Sequence, residues 1–274
     1  MTNCDNCPSK DNCNSQDTCM IENNPLNKVK NVIGVMSGKG GVGKSTVSVL
    51  IAKDLKAKGY KVGVLDADVT GPSIPRLFKV EHERAFGDKS GMLPITTEEG
   101  IKIISLNLLM EDEKQPVIWR GPIISGIVKQ FWTDVIWGEL DYLIIDLPPG
   151  TGDVALTVMQ SIPITGIIMV SVPQDMVSMI VTKAINMTKK MELPVLGIIQ
   201  NMSYIECPDC NKRIRIFEGD NIGDFIQDNE LELLGELPMS KSVANISKKD
   251  SQGIDESIED RFKDIGKRIV ELSK

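Results

Sequence analysis

A glycine-rich segment at residues 38–45 constrains this chain more than any other feature. It reads G-K-G-G-V-G-K-S, matches the spacing G-x-x-x-x-G-K-[ST], and stands between the apolar run Val32–Met36 and a stretch of helical period. Glycines at these positions let the backbone curl, so that successive N–H groups and the positive end of the next helix face a phosphate chain. A plain glycine-rich turn is the alternative, but the strand before it and the helix after it favour nucleotide binding.

The motif predicts separate roles for its residues. Lys44 would reach the β- and γ-phosphates, and Ser45 would offer its hydroxyl to Mg²⁺. Lys39 is an extra lysine within the loop; it either faces solvent or reaches a nucleotide across a dimer interface, where it would stabilise transition-state charge in trans. The predicted nucleotide-binding residues of this segment are Gly38, Lys39, Gly40, Gly41, Val42, Gly43, Lys44, Ser45 and Thr46.

Short apolar runs alternate with longer helical stretches from residue 32 onward, which predicts an α/β fold with a mostly parallel twisted sheet and helices on both faces. We expect one domain over residues 28–274, a cysteine-rich arm over 1–27, and a loop or hairpin insertion at 84–97. The predicted strands are Val32–Met36, Lys61–Asp66, Ile101–Leu106, Tyr142–Asp146, Gly166–Val172, Val195–Gln200 and Glu232–Glu236. The predicted helices are Lys44–Lys58, Gly126–Trp137, Asp153–Ser161, Met176–Met191 and Ile258–Leu272.

Acidic residues follow two of these predicted strands at the carboxyl edge, where open α/β sheets place their sites. Asp66 and Asp68 close the second strand, and Asp146 ends a later apolar run. An aspartate in the position of Asp146 would hold Mg²⁺ through water. The Pro- and Gly-rich segment 147–152 suits a switch that senses the γ-phosphate, and Asp153 either belongs to that switch or caps the next helix.

Cys207 and Cys210 form a C-x-x-C in a turn-like setting, which would put two thiolates on one metal. Two ligands cannot close a tetrahedral site, so the others would come from elsewhere in the chain or from a second copy in a two-fold dimer. Four thiolates suit Zn²⁺ and a [4Fe–4S] cluster equally, although the motif by itself favours zinc. A redox-active pair is the weaker third alternative.

The other four cysteines lie within the first nineteen residues, in a polar arm without apolar periodicity. They are Cys4, Cys7, Cys13 and Cys19. Ferredoxin-like clusters use comparably short spacings, which favours a self-contained metal site over a flexible tail with exposed thiols.

The charge balance and the hydropathy of the chain limit the kinds of partner that we expect it to bind. Lys and Arg number 31 against 38 Asp and Glu, a net charge of −7, whereas a nucleic-acid binder needs a basic surface. We find no apolar run of the ~18 residues that cross a bilayer and no signal peptide in the first twenty residues. We therefore expect a cytoplasmic protein without nucleic-acid or membrane partners, in which paired cysteines bind metal rather than form disulfides.

The glycine-rich loop with its extra lysine resembles the deviant Walker A class of P-loop ATPases, which work as nucleotide-sandwich dimers. Within this class, the sequence from about Lys30 onward is similar to the Mrp/ApbC family of ATP-binding iron–sulfur cluster carriers. Besides the P-loop and the C-x-x-C, the resemblance rests on Asp66-Ala67-Asp68, Gly71-Pro72-Ser73, Trp119-Arg120-Gly121-Pro122, Lys129-Gln130-Phe131 and the run from Asp146 to Asp153.

This resemblance implies a homodimer in which Cys207 and Cys210 of both copies bridge a labile [4Fe–4S] cluster. It links ATP binding or slow hydrolysis to loading of the cluster from a donor or to its delivery to apo-proteins. By similarity to the class, Asp68 would orient the attacking water, Asp66 would act near Mg²⁺ or the switch, and Asn201 would read adenine unless it is only a turn residue.

The arm resembles that of the related Nbp/Cfd scaffold branch in part. Cys4, Cys7 and Cys13 fit that pattern, and Cys19 would be the fourth ligand of a second cluster or a zinc site. Three other functions stay open on the residues alone. A positioning or partitioning ATPase would leave the cysteines without a role, a zinc-stapled dimeric ATPase would transfer nothing, and a nitrogenase-like electron-transfer ATPase uses cysteines that are far apart in sequence.

Overall fold

The computed structural model of this chain describes residues 21–68, 71, 73–88, 91–110, 121–175, 179–207, 209–210, 212–215, 222–248 and 254–274. The strands in these ranges are β1 Lys28–Ser37, β2 Val62–Asp66, β3 Phe86–Asp88, β4 Gly91–Leu93, β5 Ile95–Thr96, β6 Lys102–Ile104, β7 Glu139–Asp146, β8 Gly166–Ser171, β9 Val195–Gln200, β10 Ile205–Glu206, β11 Arg213–Ile214 and β12 Leu233–Glu236. The α-helices are α1 Lys44–Ala57, α2 Ile74–Leu77, α3 Gly121–Thr133, α4 Asp153–Ser161, α5 Met179–Lys190, α6 Ile222–Asp228, α7 Lys241–Ala244 and α8 Glu256–Leu272.

The central sheet joins eight of the described strands in the order β12-β9-β8-β1-β7-β2-β6-β5. All neighbours pair in parallel except β5, which runs antiparallel to β6 at one edge. The register pairs Asp66 at the end of β2 with Asp146 at the end of β7. Two acidic strand ends therefore meet at the same level of one sheet edge, beside the end of β1.

Helices cover both faces of this sheet, as the sequence predicts. One apolar layer packs α3, α4 and α5 against one face, with side chains such as Phe131 and Val158. The other layer packs α1 and α8 against the opposite face, with Leu50 and Phe262 among its buried residues. Because both faces are covered, the middle strands are buried along most of their length, as parallel strands usually are.

The insertion predicted at residues 84–97 contains a hairpin, in which β3 and β4 pair antiparallel. This hairpin explains why α3 ends at Thr133 and not at Trp137, the predicted end. The N–H of Met92 donates to the carbonyl of Asp134 at 2.8 Å, and the N–H of Ile136 donates to the carbonyl of Met92 at 2.8 Å. The backbone after Thr133 thus pairs with the hairpin, and the α3 helix does not continue.

Residues 21–27, the last part of the predicted arm, contact the domain. The N–H of Ile21 donates to the carbonyl of Ser161 at 3.0 Å, and the indole of Trp132 donates to the carbonyl of Ile21 at 3.0 Å. The Asn27 side chain donates to the carbonyl of Val135 at 2.8 Å. The four arm cysteines lie outside the described residues. In the part of the chain that is described, no helix combines the length and apolar character needed to cross a membrane.

Candidate nucleotide site and cysteine turn

The glycine-rich loop connects the end of β1 to the start of α1. Gly41 and Gly43 have φ values of 84° and 82°, a left-handed conformation that favours glycine. Gly43 also caps α1, and a Cβ atom there would lie 2.3 Å from Nδ2 of Asn201. Position 43 therefore requires glycine both for its backbone angle and for the close approach of a side chain.

Lys44 and two hydroxyls converge on the carboxylate of Asp146. The Lys44 ammonium lies 2.8 Å from Oδ2 of Asp146 and 3.8 Å from Oδ2 of Asp68. The hydroxyl of Ser45 donates to Oδ2 of Asp146 at 2.6 Å, and that of Ser48 donates to Oδ1 at 2.7 Å. Asp146 is completely buried, so its charge depends on these partners. Ser48 was not predicted, although its place one turn after Lys44 on α1 was a usable signal.

Asp66 lies at the same sheet edge and is almost completely buried. It accepts hydrogen bonds from the Ser105 hydroxyl at 3.1 Å and from the N–H of Asp68 at 3.2 Å. Burial and the nearby Asp146 charge raise the pKa of Asp66 to about 8, and the Lys44 ammonium opposes that rise. Without a cation at these oxygens, the Asp66 carboxyl therefore keeps its proton to a higher pH than an ordinary aspartate does.

The segment after Asp146 lies against the glycine-rich loop. The N–H of Gly150 donates to the carbonyl of Ser37 at 2.8 Å, and Gly150 has a φ of 81°. A segment so placed would contact whatever the loop binds, as a switch requires. Gly152 occupies the cap position of α4 and Asp153 is the first residue of the helix, so of the two roles considered for Asp153 the helix cap is wrong. Lys39 lies exposed in the loop.

Asn201 follows β9 and reaches back to the loop. Its side-chain NH₂ donates to the carbonyl of Val42 at 2.9 Å, and its own N–H donates to the carbonyl of Ser171 at 2.8 Å. The side chain is buried, with 4% of its residue surface exposed. Asn201 therefore lies against the glycine-rich loop, and its side chain contacts the backbone of that loop.

The C-x-x-C occupies the turn between β10 and β11, a few residues beyond Asn201. The N–H of Cys207 donates to the carbonyl of Lys212 at 3.0 Å, which closes the turn. Cys207 is half-buried and Cys210 is exposed, and neither forms a disulfide. Hydrogen bonds from the N–H groups of Asp209 and Cys210, together with the Cys210 thiol, lower the pKa of Cys207.

These two thiols could bind a soft metal, because thiolates are its preferred ligands. Within the described ranges, no group of three or more Cys, His, Asp or Glu side chains forms a candidate metal site. The described part of one copy therefore offers two ligands at this turn. Trp119 and Arg120, which carry part of the family resemblance, lie outside the described residues.

Comparisons with known proteins agree with this architecture. A family model described as ParA: NUBPL iron-transfer P-loop NTPase matches residues 28–272. An iron-sulfur cluster carrier protein from Clostridium perfringens is 53% identical over 219 residues, which cover 77% of each chain. Another from Methanocaldococcus jannaschii is 46% identical over 276 residues, covering 98% of this chain and 95% of the relative.

A solved structure shares the fold at substantial sequence identity. It is a nucleotide-binding protein from Archaeoglobus fulgidus in complex with ADP, 42% identical with a TM-score of 0.71, covering 80% of this chain and 86% of that one. The family model covers nearly the whole described domain, including the glycine-rich loop and the cysteine turn. The chain therefore belongs to the NUBPL iron-transfer family of ParA-type P-loop NTPases.

Proposed function

We propose that this chain is an ATP-dependent iron–sulfur cluster carrier that binds a [4Fe–4S] cluster between two copies of itself and transfers it to apo-proteins. One observation carries the proposal: a short segment beginning at Asn201 connects the glycine-rich loop to a turn with two free thiols, one of which has a lowered pKa. The names of the close relatives, iron-sulfur cluster carrier proteins, support it.

The carboxylates and hydroxyls at the sheet edge fit Mg²⁺, which prefers oxygen ligands. Ser45 and Asp146 would hold the ion, with Asp66 beside them, and Mg²⁺ would neutralise charge on the β- and γ-phosphates. Lys44 lies between Asp146 and Asp68 at 2.8 and 3.8 Å, so γ-phosphate oxygens would compete with these carboxylates for its ammonium. Asp68 would orient the attacking water.

Lys39 would act on the nucleotide of the second copy. Its side chain belongs to an exposed part of the loop, where a dimer partner can reach it. A cation supplied in trans stabilises the charge that develops on the transferred phosphoryl group. Hydrolysis would then depend on dimer formation, and a slow rate suits a switch that reports whether two copies are joined.

The cluster is the cargo of this reaction. Two thiolates from each copy, Cys207 and Cys210, would supply its four protein ligands. Exposure of Cys210 allows an acceptor thiolate to replace it on iron, so transfer proceeds by exchange of one thiolate for another without a change of oxidation state. Cys4, Cys7, Cys13 and Cys19 would hold a second cluster or zinc.

Metal analysis of protein purified without oxygen tests this function. We expect iron and sulfide at about four per dimer from the C-x-x-C, lost in a Cys207→Ala/Cys210→Ala variant and regained by reconstitution only in the parent. A matched Cys4→Ala/Cys7→Ala variant separates any metal bound by the arm. Zinc without sulfide in the parent would refute the carrier function and leave a zinc-stapled ATPase.

Transfer itself needs a second assay. The reconstituted parent is mixed with the apo form of a [4Fe–4S] enzyme, with and without Mg·ATP, and recovery of that enzyme's activity is followed. With the parent as cluster donor, we expect the regained enzyme activity to change when Mg·ATP is added. With a Lys44→Ala variant as donor, we expect the same activity with and without Mg·ATP. Equal, ATP-independent recovery from both would contradict the proposed coupling between nucleotide and cargo.

A further inference from the structure

The base of the cysteine turn contains a tyrosine that contacts two arginines. Tyr204 precedes β10 and is almost completely buried, with 1% of its surface exposed. The Arg213 guanidinium lies 4.8 Å from the centroid of its ring, and the Arg261 guanidinium lies 5.4 Å from it. Such cation–π contacts favour a fixed geometry as well as stability. Tyr204 and Arg213 flank the two cysteines in sequence, and Arg261 comes from α8.

Ion pairs attach both strands of the turn to the domain. Arg261 donates to the Glu206 carboxylate at 2.5 Å, next to Cys207. After the second strand of the turn, β11, Arg215 donates to both oxygens of Glu236 at 2.9 and 2.8 Å. This contact links the end of β11 to the edge strand β12. A two-stranded hairpin as short as β10–β11 is not stable by itself, so these contacts determine how the turn is oriented.

We propose that Tyr204 and Arg261 are positioning residues that hold the turn so that Cys207 and Cys210 can ligate one metal centre together with a second copy. This inference rests on the proposed function, because it concerns the same two thiols. Tyr204 would act through its ring, which the two guanidiniums contact. Arg261 would act through that ring and through Glu206 at once, which requires the planar, forked donor group of arginine.

The tyrosine hydroxyl provides a control that the structure itself suggests. Within the described residues it is buried without a hydrogen-bond partner. Tyr204→Phe removes only this hydroxyl and keeps the ring, so it should leave metal binding unchanged. Lys267→Gln is the matched control for charge, since it removes one positive charge from an exposed position of the same helix, α8.

Co²⁺ titration of full-length chains tests the proposal, since tetrahedral thiolate sites give Co²⁺ an intense visible absorption. Every chain carries Ser in place of the four arm cysteines, so that only the turn is observed. We expect Tyr204→Leu and Arg261→Gln to weaken Co²⁺ binding about tenfold, the size typical for groups that orient metal ligands. Arg261→Lys should recover little, because an ammonium cannot contact the ring and pair with Glu206 in the same way.

Two further readouts separate positioning from a merely structural role. In Arg261→Gln the ATP affinity should stay within error of the parent, and the melting temperature should fall by no more than a few degrees, because the side chain is partly exposed and contacts only the base of the turn. Parent-like Co²⁺ affinity in both Tyr204→Leu and Arg261→Gln would overturn the inference. Weakened Co²⁺ binding in a chain that never takes up iron and sulfide would support the positioning role while the carrier function fails.

Discussion

The residues of the nucleotide site carry an imbalance of charge. Lys44 stands among the carboxyl groups of Asp66, Asp68 and Asp146, of which Asp146 is completely buried. Two buried carboxylates on neighbouring strands cannot both ionise cheaply beside a single ammonium. The raised pKa of Asp66 expresses this cost, and a divalent cation at the same oxygens would relieve it.

Asp66 should make stability depend on pH. Its pKa is raised from 3.8 to about 8 in the folded chain, so the folded state binds a proton that the unfolded state has already lost across this window. The stabilisation is complete below pH 3.8 and disappears as pH rises toward 8. Urea unfolding at several values between pH 5 and 8.5 should show the parent losing stability relative to Asp66→Asn, by at most about 1.4 kcal/mol per pH unit.

Asp141→Asn is the control for this experiment. Hydrogen bonds from Lys30 and from the N–H of Lys61 lower the pKa of Asp141, so it remains ionised in both states above pH 5. The free energy of unfolding of Asp141→Asn should therefore differ from that of the parent by a constant amount between pH 5 and 8.5. If Asp66→Asn also ran parallel to the parent, Asp66 would be ionised throughout and the pKa of about 8 would be wrong.

Asn201 offers a second test at this scale. If its contact with the Val42 carbonyl is its main role, Asn201→Ala loosens the loop and weakens ATP and GTP alike, by about fivefold for a hydrogen bond of typical strength. If the side chain reads adenine, the variant loses affinity for ATP and keeps its affinity for GTP. Titration with both nucleotides decides between the two roles, and unchanged affinity for both would exclude each.

Sequence patterns predict one part of this site and miss another, for a physical reason. Lys44, Ser45 and Asp146 follow from short motifs, because a strand–loop–helix and a strand end put them at one sheet edge. The contacts of Ser105 with Asp66 and of Arg261 with Glu206 join residues that are far apart in the chain. Pairings of this kind depend on packing, which no local pattern encodes.

At the scale of elements, α1 and α8 pack closely on one face of the sheet. A Cβ atom at Gly266 of α8 would lie 1.7 Å from Oδ2 of Asp54 on α1. Asp54 is buried and pairs with Lys58, the residue that caps the end of α1. Burial raises the pKa of Asp54, and its bond to Lys58 opposes that shift. A side chain at position 266 would therefore have to displace the Asp54 carboxylate from its ion pair with Lys58.

Gly266→Ala should therefore destabilise the fold by up to about 2 kcal/mol, because overpacking costs about 1–3 kcal/mol and replacing a helical glycine returns about 0.5–1 kcal/mol. The matched change is Gly126→Ala on α3, where a new Cβ atom would have no neighbour within 4 Å. That substitution should stabilise the helix by about 0.5–1 kcal/mol, because glycine costs that much in a helix interior. Denaturant midpoints of the two variants would move in opposite directions; a shift in the same direction would contradict the close packing of α1 and α8.

Element types were easier to predict than element ends. The helix Asp153–Ser161 and the strand Val195–Gln200 have the predicted bounds, since strong apolar patterns and turn residues limit both. The strand β1 begins at Lys28 rather than Val32, because its polar first half pairs with β7 without being buried. Backbone pairing without burial leaves no apolar pattern in the sequence. The type of an element is therefore predicted correctly, while its first or last residue differs from the prediction.

At the scale of the whole molecule, each of the two proposed sites would need residues from a second copy of the chain. The described cysteine turn offers two metal ligands. The exposed lysine of the glycine-rich loop, Lys39, would act on the nucleotide that is bound by the other copy. Each site would be completed by a second copy, so a single two-fold axis would satisfy both. A carrier built in this way could hold its cargo only while its two halves stay together, and nucleotide would control that state.

Mixed dimers test whether Lys39 acts across the interface. Lys39→Ala and Lys44→Ala chains are each expected to be inactive as homodimers, the first for lack of the trans cation and the second for lack of phosphate binding. In a mixed dimer, the Lys39→Ala chain keeps its own Lys44 and receives Lys39 from its partner, so one complete site is restored. Random mixing makes half of the dimers mixed, each with one of two sites complete, so the ATPase rate should recover to about a quarter of the parent rate. A lysine that acts within its own chain would give no recovery, because neither chain would then hold both lysines.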